Sequence, residues 1–483
     1  MKNKVLNVLN IILIIVLFCI PISLISLNSE LIIGDEIWNF QNISKIVNGG
    51  TMYVDCNIIV TPIFYLIGYC FVKFITGTIL GFRIYNVFIF LLLLLSSFIL
   101  FRTLKMEKIK AFAYSLIVFL FVMPYISVGA NYNVLAESVF IFGLVLFLNK
   151  DKIRFYNLYQ GILIFICIFT KQNIGAYYLI AIIIAEITIN KKKSIYFIIK
   201  EITVALVCTI IAVEIMCLTD CFKGFLNYTI YGMGEFTTGN FSIGQTVELV
   251  IIDYLCIAVC SYVLGFFISM QNKEIAKNIL ILSIFSILLN LSIFPIANLY
   301  HTSFAILINL IIYIYLFDQL LLCKLNNKVI FVIITVVLYI VISSYGVVCG
   351  YRASKNIKID DKDNIYYSSN ITEELNKRLE KVTNYIKEKE EEGLDVICIS
   401  ADSALYMTYL HKNHRELDLC FRGNLGWNGT EKTIDKIKEL KGTVFLINTN
   451  IYWQEIAEIK DYVIQNNYQD IEIVQELNAY RLK

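Results

Sequence analysis

The chain has 483 residues, of which 58% are hydrophobic and 17% are charged, and its formal net charge is +2. This apolar fraction is higher than a water-soluble domain uses, so the composition indicates a multi-span membrane protein. The near-neutral charge gives no support for nucleic acid as a partner. The 13 cysteines lie mostly in apolar runs, and no Cys/His spacing typical of a metal site occurs, so we predict neither metal nor cofactor.

The first apolar segment, 5–27, follows Lys2 and Lys4. It is longer than the core of a signal peptide, and no small-residue cleavage site follows it. We therefore interpret it as a retained membrane span whose N-terminus is cytoplasmic.

A helix needs ~20 apolar residues to cross a bilayer, and on this basis the sequence predicts ~11 spans. They are 5–27, 81–101, 111–128, 133–149, 156–170, 174–189, 198–218, 248–269, 279–296, 301–322 and 329–349. The connections that then face the cytoplasm carry most of the Lys and Arg, as the positive-inside rule requires. Examples are the basic stretches at 102–110 and 191–200.

The apolar stretch 58–76 is predicted not to span, because an extra crossing there would move the later basic clusters outside. Pro62, Lys73 and several aromatic residues suit a helix lying on the outer leaflet. The first outer loop is therefore long and also contains an amphipathic piece, 37–47. A second long outer loop, 219–247, either covers a site or is simply a structured connection.

After residue 350 the chain becomes more polar. Alternating strand and helix patterns predict a small extracytoplasmic α/β domain over 351–483, behind a transmembrane domain over 1–350. The strands are expected at 395–400, 417–421, 443–448 and 470–477, and Cys398 and Cys420 could pair. The Gly-rich turn from Arg422 to Gly429 is the part of this domain most suited to contact a ligand, although an ordinary loop is the commoner explanation.

Asp35 and Glu36 stand just after the first span, and Trp38 follows in the amphipathic piece. A solvated pair of charges at the membrane edge is the simpler alternative. Few other polar side chains occur at the outer ends of spans, and polar groups at membrane depth are usually functional or paired. The few polar side chains at the outer ends of the predicted spans are Arg83, Lys171, Gln172, Asn173 and His301. For Lys171, a snorkelling role at the interface is an equally good explanation.

The order of these features resembles the GT-C glycosyltransferases. The likeness comprises a retained first span, Asp35-Glu36, an amphipathic helix ending in Asn48-Gly49-Gly50, Thr61-Pro62 in a shallow helix, and Arg83 entering the next span. It is closest to the group of the protein O-mannosyltransferases, the aminoarabinose transferase of lipid A and the RgtA/B/C/D-like enzymes. It covers residues 1 to about 190 best, is weaker from there to residue 350, and is not claimed for the tail.

The resemblance implies a polyprenyl-phosphate-linked sugar donor, with Asp35 as the catalytic carboxylate and Glu36 beside it. Some relatives have a lysine before the proline pair of the shallow helix, where this chain has Thr61-Pro62. The candidates for binding the lipid phosphate are therefore Arg83, Lys171, Lys73 and His301. The candidates for binding substrate are Trp38, Gln172, Asn173 and Glu235. The metal site of the oligosaccharyltransferase branch has no counterpart here.

We therefore expect an inverting membrane glycosyltransferase that moves a sugar to an acceptor on the outer face of a cell membrane, with Asp35 as base. The acceptor could be a surface polymer, a lipid or a protein. Two alternatives remain open. A transporter or flippase of lipid-linked sugars would also have many spans, although no repeat or paired Gly/Pro break is evident. A membrane-anchored binding protein would act through its C-terminal domain.

Overall fold

The computed structural model describes residues 2–190, 194–240, 258–259, 261–263, 265–266, 272–294, 299–319, 328–413, 417–448 and 456–482. Helices make up most of these residues. A four-stranded sheet and its helices follow the last long apolar helix.

The first part of the chain, up to residue 240, is helical. Its helices are α1 (Lys2–Ser26), α2 (Asp35–Val47), α3 (Ile63–Ile75), α4 (Ile79–Thr103), α5 (Lys108–Val122), α6 (Tyr132–Leu148), α7 (Tyr156–Thr170), α8 (Gln172–Asn190), α9 (Ser194–Leu218), α10 (Phe222–Phe225) and α11 (Gly232–Asn240). A 3-10 turn, Met123–Val128, extends α5, and a π-helical turn, Leu226–Tyr231, joins α10 to α11.

The later apolar helices are α12 (Lys273–Asn290), α13 (Leu299–Ala305), α14 (Leu307–Phe317) and α15 (Lys328–Ala353). The long helices carry apolar side chains all round. One side of each is buried against other helices, and the other side exposes many large hydrophobic side chains. This pattern is typical of helices that face lipid.

Seven helices of the described residues are long and apolar enough to cross a membrane. They correspond to the predicted spans 5–27, 81–101, 111–128, 174–189, 198–218, 279–296 and 329–349. The predicted spans 133–149 and 156–170 are shorter apolar helices of 17 and 15 residues. The predicted span 301–322 is divided between α13 and α14, and 248–269 lies largely outside the described residues.

The helix α3 occupies the stretch that was predicted not to span. It has 13 residues, which at ~1.5 Å per residue give ~20 Å, and this is shorter than a hydrocarbon core of ~30 Å. Leu66 and Phe74 are exposed on it, whereas Phe64 and Val72 are buried. A short helix with one apolar side exposed fits a shallow position better than a crossing.

After α15 come β1 (Ile357–Lys358), β2 (Asn370–Ile371), α16 (Glu373–Glu391), β3 (Asp395–Cys398), α17 (Ser403–Tyr409), α18 (Gly429–Glu439), β4 (Thr443–Asn448), α19 (Ala457–Asn466), β5 (Asn467–Val474) and β6 (Leu477–Leu482). β1 and β2 pair with each other, and the other four strands form a sheet in the order β3-β4-β6-β5. β3 and β4 are parallel, whereas β6 is antiparallel to both β4 and β5.

Two details of the tail differ from the sequence prediction. Leu417–Phe421 is not one of the strands, because its backbone turns: Leu419 has a φ of 50° and the Phe421 N–H donates to the Leu419 carbonyl at 2.6 Å. The single strand predicted at 470–477 is instead the hairpin of β5 and β6, which turns after Val474. Cys398 and Cys420 are both buried, and no disulfide joins them among the described residues.

The tail packs on the segment that joins α1 to α4 through specific polar contacts. The Lys45 Nζ at the end of α2 lies 2.7 Å from the Asp418 carboxylate, and both side chains are buried. The Trp38 indole N–H donates to the Ala401 carbonyl at 2.9 Å. The Leu31 N–H donates to the Asn370 carbonyl at 2.8 Å. These contacts fix the tail over the loop that carries Asp35.

Candidate active site

A cavity of about 640 Å³ opens between the segment that joins α1 to α4, the ends of several apolar helices and the tail. Its size is within the ~300–1,000 Å³ usual for ligand sites. Five of the predicted site residues line it: Asp35, Trp38, Lys171, Asn173 and His301. Residues far apart in the chain thus meet around one space.

Asp35 is the first residue of α2, where a carboxylate is favoured by the helix dipole. Its Oδ2 accepts a hydrogen bond from the Asn131 amide at 3.1 Å. Burial raises the pKa of this carboxyl above its usual value, and the nearby charge of Lys171 and the Asn131 hydrogen bond oppose that rise. A carboxylate with a raised pKa is better matched to accept a proton near neutral pH.

The Asn131 side chain is held by the backbone of the first turn of α6. Its Oδ1 accepts from the Asn133 N–H at 2.8 Å as the N-cap of α6, and this leaves the amide N–H₂ to face Asp35. Gly129, with φ of 97°, allows this loop to approach α2, since a Cβ there would lie 2.9 Å from the Glu36 Cβ.

Lys171 follows the last residue of α7 and precedes α8. Its Nζ lies 4.4 Å from the centroid of the Tyr132 ring. Burial lowers the pKa of Lys171 to about 8, against the opposing charges of Asp35 and Glu137. It forms no ion pair within hydrogen-bonding distance among the described side chains. A partly protonated lysine on a cavity wall can receive an anionic group of a ligand.

Glu36 and Arg83 lie behind the cavity rather than on its wall. The Arg83 Nε donates to Glu36 Oε1 at 2.9 Å, and each side chain is 1% exposed. The remaining guanidinium N–H groups donate to the carbonyls of Ser29 at 2.9 Å and Glu30 at 3.2 Å. Arg83 therefore ties α4 to the start of α2, a structural use of its charge, and we give neither residue a role in chemistry.

Three further candidates lie outside the cavity. Lys73 is exposed near the end of α3, where its Nζ donates to the Tyr69 hydroxyl at 2.5 Å. The Gln172 amide donates to the carbonyls of Ile59 at 3.1 Å and Thr229 at 3.2 Å, so it joins the two outer loops. Glu235 on α11 lines a smaller neighbouring pocket.

Two comparisons with known proteins give no relative: no family model matches the chain, and no curated protein matches it. Solved structures do match. ArnT from Cupriavidus metallidurans, bound to undecaprenyl phosphate, superposes with a TM-score of 0.60 at 11% identity, over 98% of this chain and 97% of that one. The apo form of the same protein gives a TM-score of 0.61 over 99% and 98% of the two chains.

The oligosaccharyltransferase AglB from Archaeoglobus fulgidus also matches, in a complex with an inhibitory peptide and a dolichol-phosphate. The TM-score is 0.53 at 10% identity, over 98% of this chain and 74% of that one. The chain therefore shares its fold, the GT-C fold, with these two proteins. The resemblance stated from the order of the sequence features is thereby confirmed at the level of the fold.

In this GT-C fold, the sequence reasoning passed over Asn131, whose only signal was an N-cap position before an apolar helix. The turn that begins at Arg422 was predicted to be the part of the tail most suited to contact a ligand, and Arg422 and Asn424 of this turn line the cavity. Arg422 is exposed and forms no ion pair with another described residue. The cavity thus has cations on two sides, Lys171 and Arg422, and a carboxylate in Asp35.

Proposed function

We propose that this protein is a membrane glycosyltransferase that moves a sugar from a polyprenyl-phosphate-linked donor to an acceptor hydroxyl. The observation that carries the proposal is the placement of Asp35 and Lys171 on the wall of one cavity in a GT-C fold. ArnT, which shares that fold, is bound to undecaprenyl phosphate.

In the proposed reaction Asp35 Oδ accepts the proton of the acceptor O–H. The freed oxygen attacks the anomeric carbon of the donor and forms the new glycosidic bond. The bond from the anomeric carbon to the phosphate oxygen breaks on the opposite face, its electron pair stays on the polyprenyl phosphate, and the configuration inverts. A positioned general base typically contributes ~10²–10⁴-fold to the rate.

The leaving phosphate gains negative charge, so the site needs a cation fixed where that charge develops. We assign this role to Lys171. Its charge is partly balanced by Asp35 in the free protein, and its Nζ is held over the Tyr132 ring. Arg422 and His301 on the same cavity are further donors toward a phosphate. Trp38 and Asn173 are proposed to contact the sugar or acceptor.

We further propose the topology that this chemistry requires: a transmembrane domain over 1–350 with ~11 spans, a cytoplasmic N-terminus, and an extracytoplasmic domain over 351–483. The basic connections at 102–110 and 191–200 support this orientation. The donor sugar and acceptor would then meet at the outer face of a cell membrane.

The experiment uses purified full-length protein in nanodiscs. A lipid extract from cells that lack the protein supplies the accumulated donor, and the cell-envelope fraction of the same cells supplies the acceptor. Mass spectrometry would follow the release of polyprenyl phosphate from its sugar-linked form. Release by wild type but not by Asp35→Asn is expected. A wild-type protein that binds the lipid-linked sugar without ever releasing polyprenyl phosphate would point to a carrier instead.

A further inference from the structure

A second pocket adjoins the main cavity on the side of the tail. Its volume is about 180 Å³, and its polar lining residues are Glu235, Arg422, Thr430 and Glu458. We call it the α11 pocket. It combines a residue of the second outer loop with residues of three separate parts of the tail, so neither portion of the chain forms it alone.

One thin wall separates the α11 pocket from the main cavity. Arg422 lines both spaces, whereas its neighbour Asn424 lines the main cavity and Leu425 lines the α11 pocket. On α11, Phe236 faces the main cavity and Glu235 the pocket. The two spaces therefore adjoin at Arg422.

The wall depends on close backbone packing. Gly423 has a φ of 87°, and a Cβ there would lie 2.5 Å from the Ile59 Cδ1 and 2.8 Å from the Phe236 Cβ. A Cβ on Gly232 would lie 2.3 Å from the Gly423 carbonyl oxygen. The tail loop and α11 thus touch backbone to backbone, and this contact keeps the two spaces adjacent.

The polar groups of the pocket define what it can bind. Glu235 and Glu458 accept hydrogen bonds, Arg422 only donates, and Thr430 does both. A cationic ligand would be opposed by Arg422, and an anionic ligand by two carboxylates. Neutral hydroxyl groups, which donate and accept, satisfy both kinds of partner.

The shape also favours a small hydroxylated ring. The volume is below the ~300–1,000 Å³ of common ligand sites, so it suits one ring rather than a long oligosaccharide. Trp427 follows the lining residue Gly426 in the chain. Its ring lies 6.3 Å from that of Tyr231, and both side chains are more than half exposed. Aromatic faces of this kind pack against the C–H face of a sugar.

We propose that the α11 pocket binds one sugar ring of the acceptor, which makes the acceptor a glycan. This rests on the proposed glycosyltransferase function and specifies its acceptor. A hydroxyl of the bound ring, or of the next ring, would extend past Arg422 into the main cavity toward Asp35. The donor would occupy the main cavity from the side of Lys171.

The test measures saccharide binding to the full-length protein in nanodiscs by saturation-transfer NMR. The probes are the methyl glycosides of glucose, galactose and N-acetylglucosamine. Glu458→Gln is expected to weaken binding of the preferred probe by about tenfold or more, as for loss of a charge-assisted hydrogen bond. Thr430→Val removes a neutral hydrogen bond and should weaken binding by about twofold to tenfold. The matched control is Glu439→Gln, an exposed carboxylate at the end of α18 that does not line the pocket.

Binding of undecaprenyl phosphate, measured on the same samples, reports on the main cavity and on folding, and all three variants should retain it. Equal saccharide binding by wild type and both pocket variants would overturn the proposal, as would a wild type that binds undecaprenyl phosphate but none of the glycosides. Failure to bind undecaprenyl phosphate while a glycoside binds in the α11 pocket would instead contradict the proposed donor and leave the saccharide site standing.

Discussion

Asp35 and Glu36 are consecutive residues, but their carboxylates lie in different environments. Asp35 faces the cavity and accepts from Asn131, whereas Glu36 is buried against the Arg83 guanidinium. The helix that begins at Asp35 turns the second carboxylate away from the first, so a pair that looks uniform in sequence has one member available to a substrate and one that is not.

The Glu36–Arg83 ion pair should dominate local stability. Glu36→Gln leaves the Arg83 charge buried without a partner, which typically costs ~3–5 kcal/mol. Thermal unfolding in detergent should show a large fall in Tm. The matched control is Glu274→Gln, which removes an exposed carboxylate paired with Lys105 and should change Tm little. Equal Tm values for the two variants would contradict a stabilising role of the Glu36–Arg83 ion pair.

The rate should depend on pH with two limbs. kcat/KM should rise with pH as Asp35 loses its proton, at a pH above the usual range for an aspartate. It should fall as pH passes about 8, because Lys171 then loses its charge. Lys171→Arg should remove the alkaline limb, since an arginine stays protonated.

The control for this profile is Lys73→Arg, because Lys73 does not line the cavity. Its pH profile should match that of wild type. If the alkaline limb persists in Lys171→Arg and disappears in Lys73→Arg, the group that loses its proton is Lys73 and not Lys171.

The buried pair of Lys45 and Asp418 should hold the tail in place. Lys45→Met leaves Asp418 buried with one fewer charge partner, and the tail should become more sensitive to limited proteolysis. Combining Lys45→Met with Asp418→Leu removes both charges and should restore much of the resistance. A double variant as sensitive as the single one would mean that the contact is held by other groups.

Gly423 should tolerate no side chain. Gly423→Ala combines a positive φ with a close approach to Ile59 and Phe236 and should sharply reduce activity. Gly442→Ala has a φ of 67° but no atom within 4 Å of its Cβ, so it should show only the ~1–3 kcal/mol of backbone strain. Comparing activity and Tm of the two separates the close contact from the strain. Equal activity of the two variants would mean that the contact of Gly423 with Ile59 and Phe236 is not tight enough to exclude a methyl group.

Local sequence patterns predicted the elements that depend on local physics. The apolar runs predicted the long helices because a crossing needs a fixed length of apolar residues, and the count of basic residues predicted that α3 would not be one of them. β4 appears at the predicted residues, Thr443–Asn448. The strand expected at 417–421 does not form, because Leu419 adopts a left-handed backbone conformation that its residue type does not announce.

The site was predictable only in part, because its geometry depends on contacts between distant segments. Asp35 and Lys171 could be singled out as rare charges at outer helix ends. The burial of Arg83 against Glu36 could not be predicted, since nothing in the sequence shows which charged groups meet. Arg422 reaches the cavity only because the tail folds back on the first outer loop through Lys45 and Asp418.

The most direct test compares the surface glycans of cells that carry wild type, a deletion or Asp35→Asn, with protein levels checked by immunoblot. One sugar is expected to disappear from the surface in the deletion and in Asp35→Asn alike, while its polyprenyl-linked precursor accumulates. If Asp35→Asn restores the full glycan profile to the deletion strain, Asp35 is not the base and the proposed mechanism is wrong.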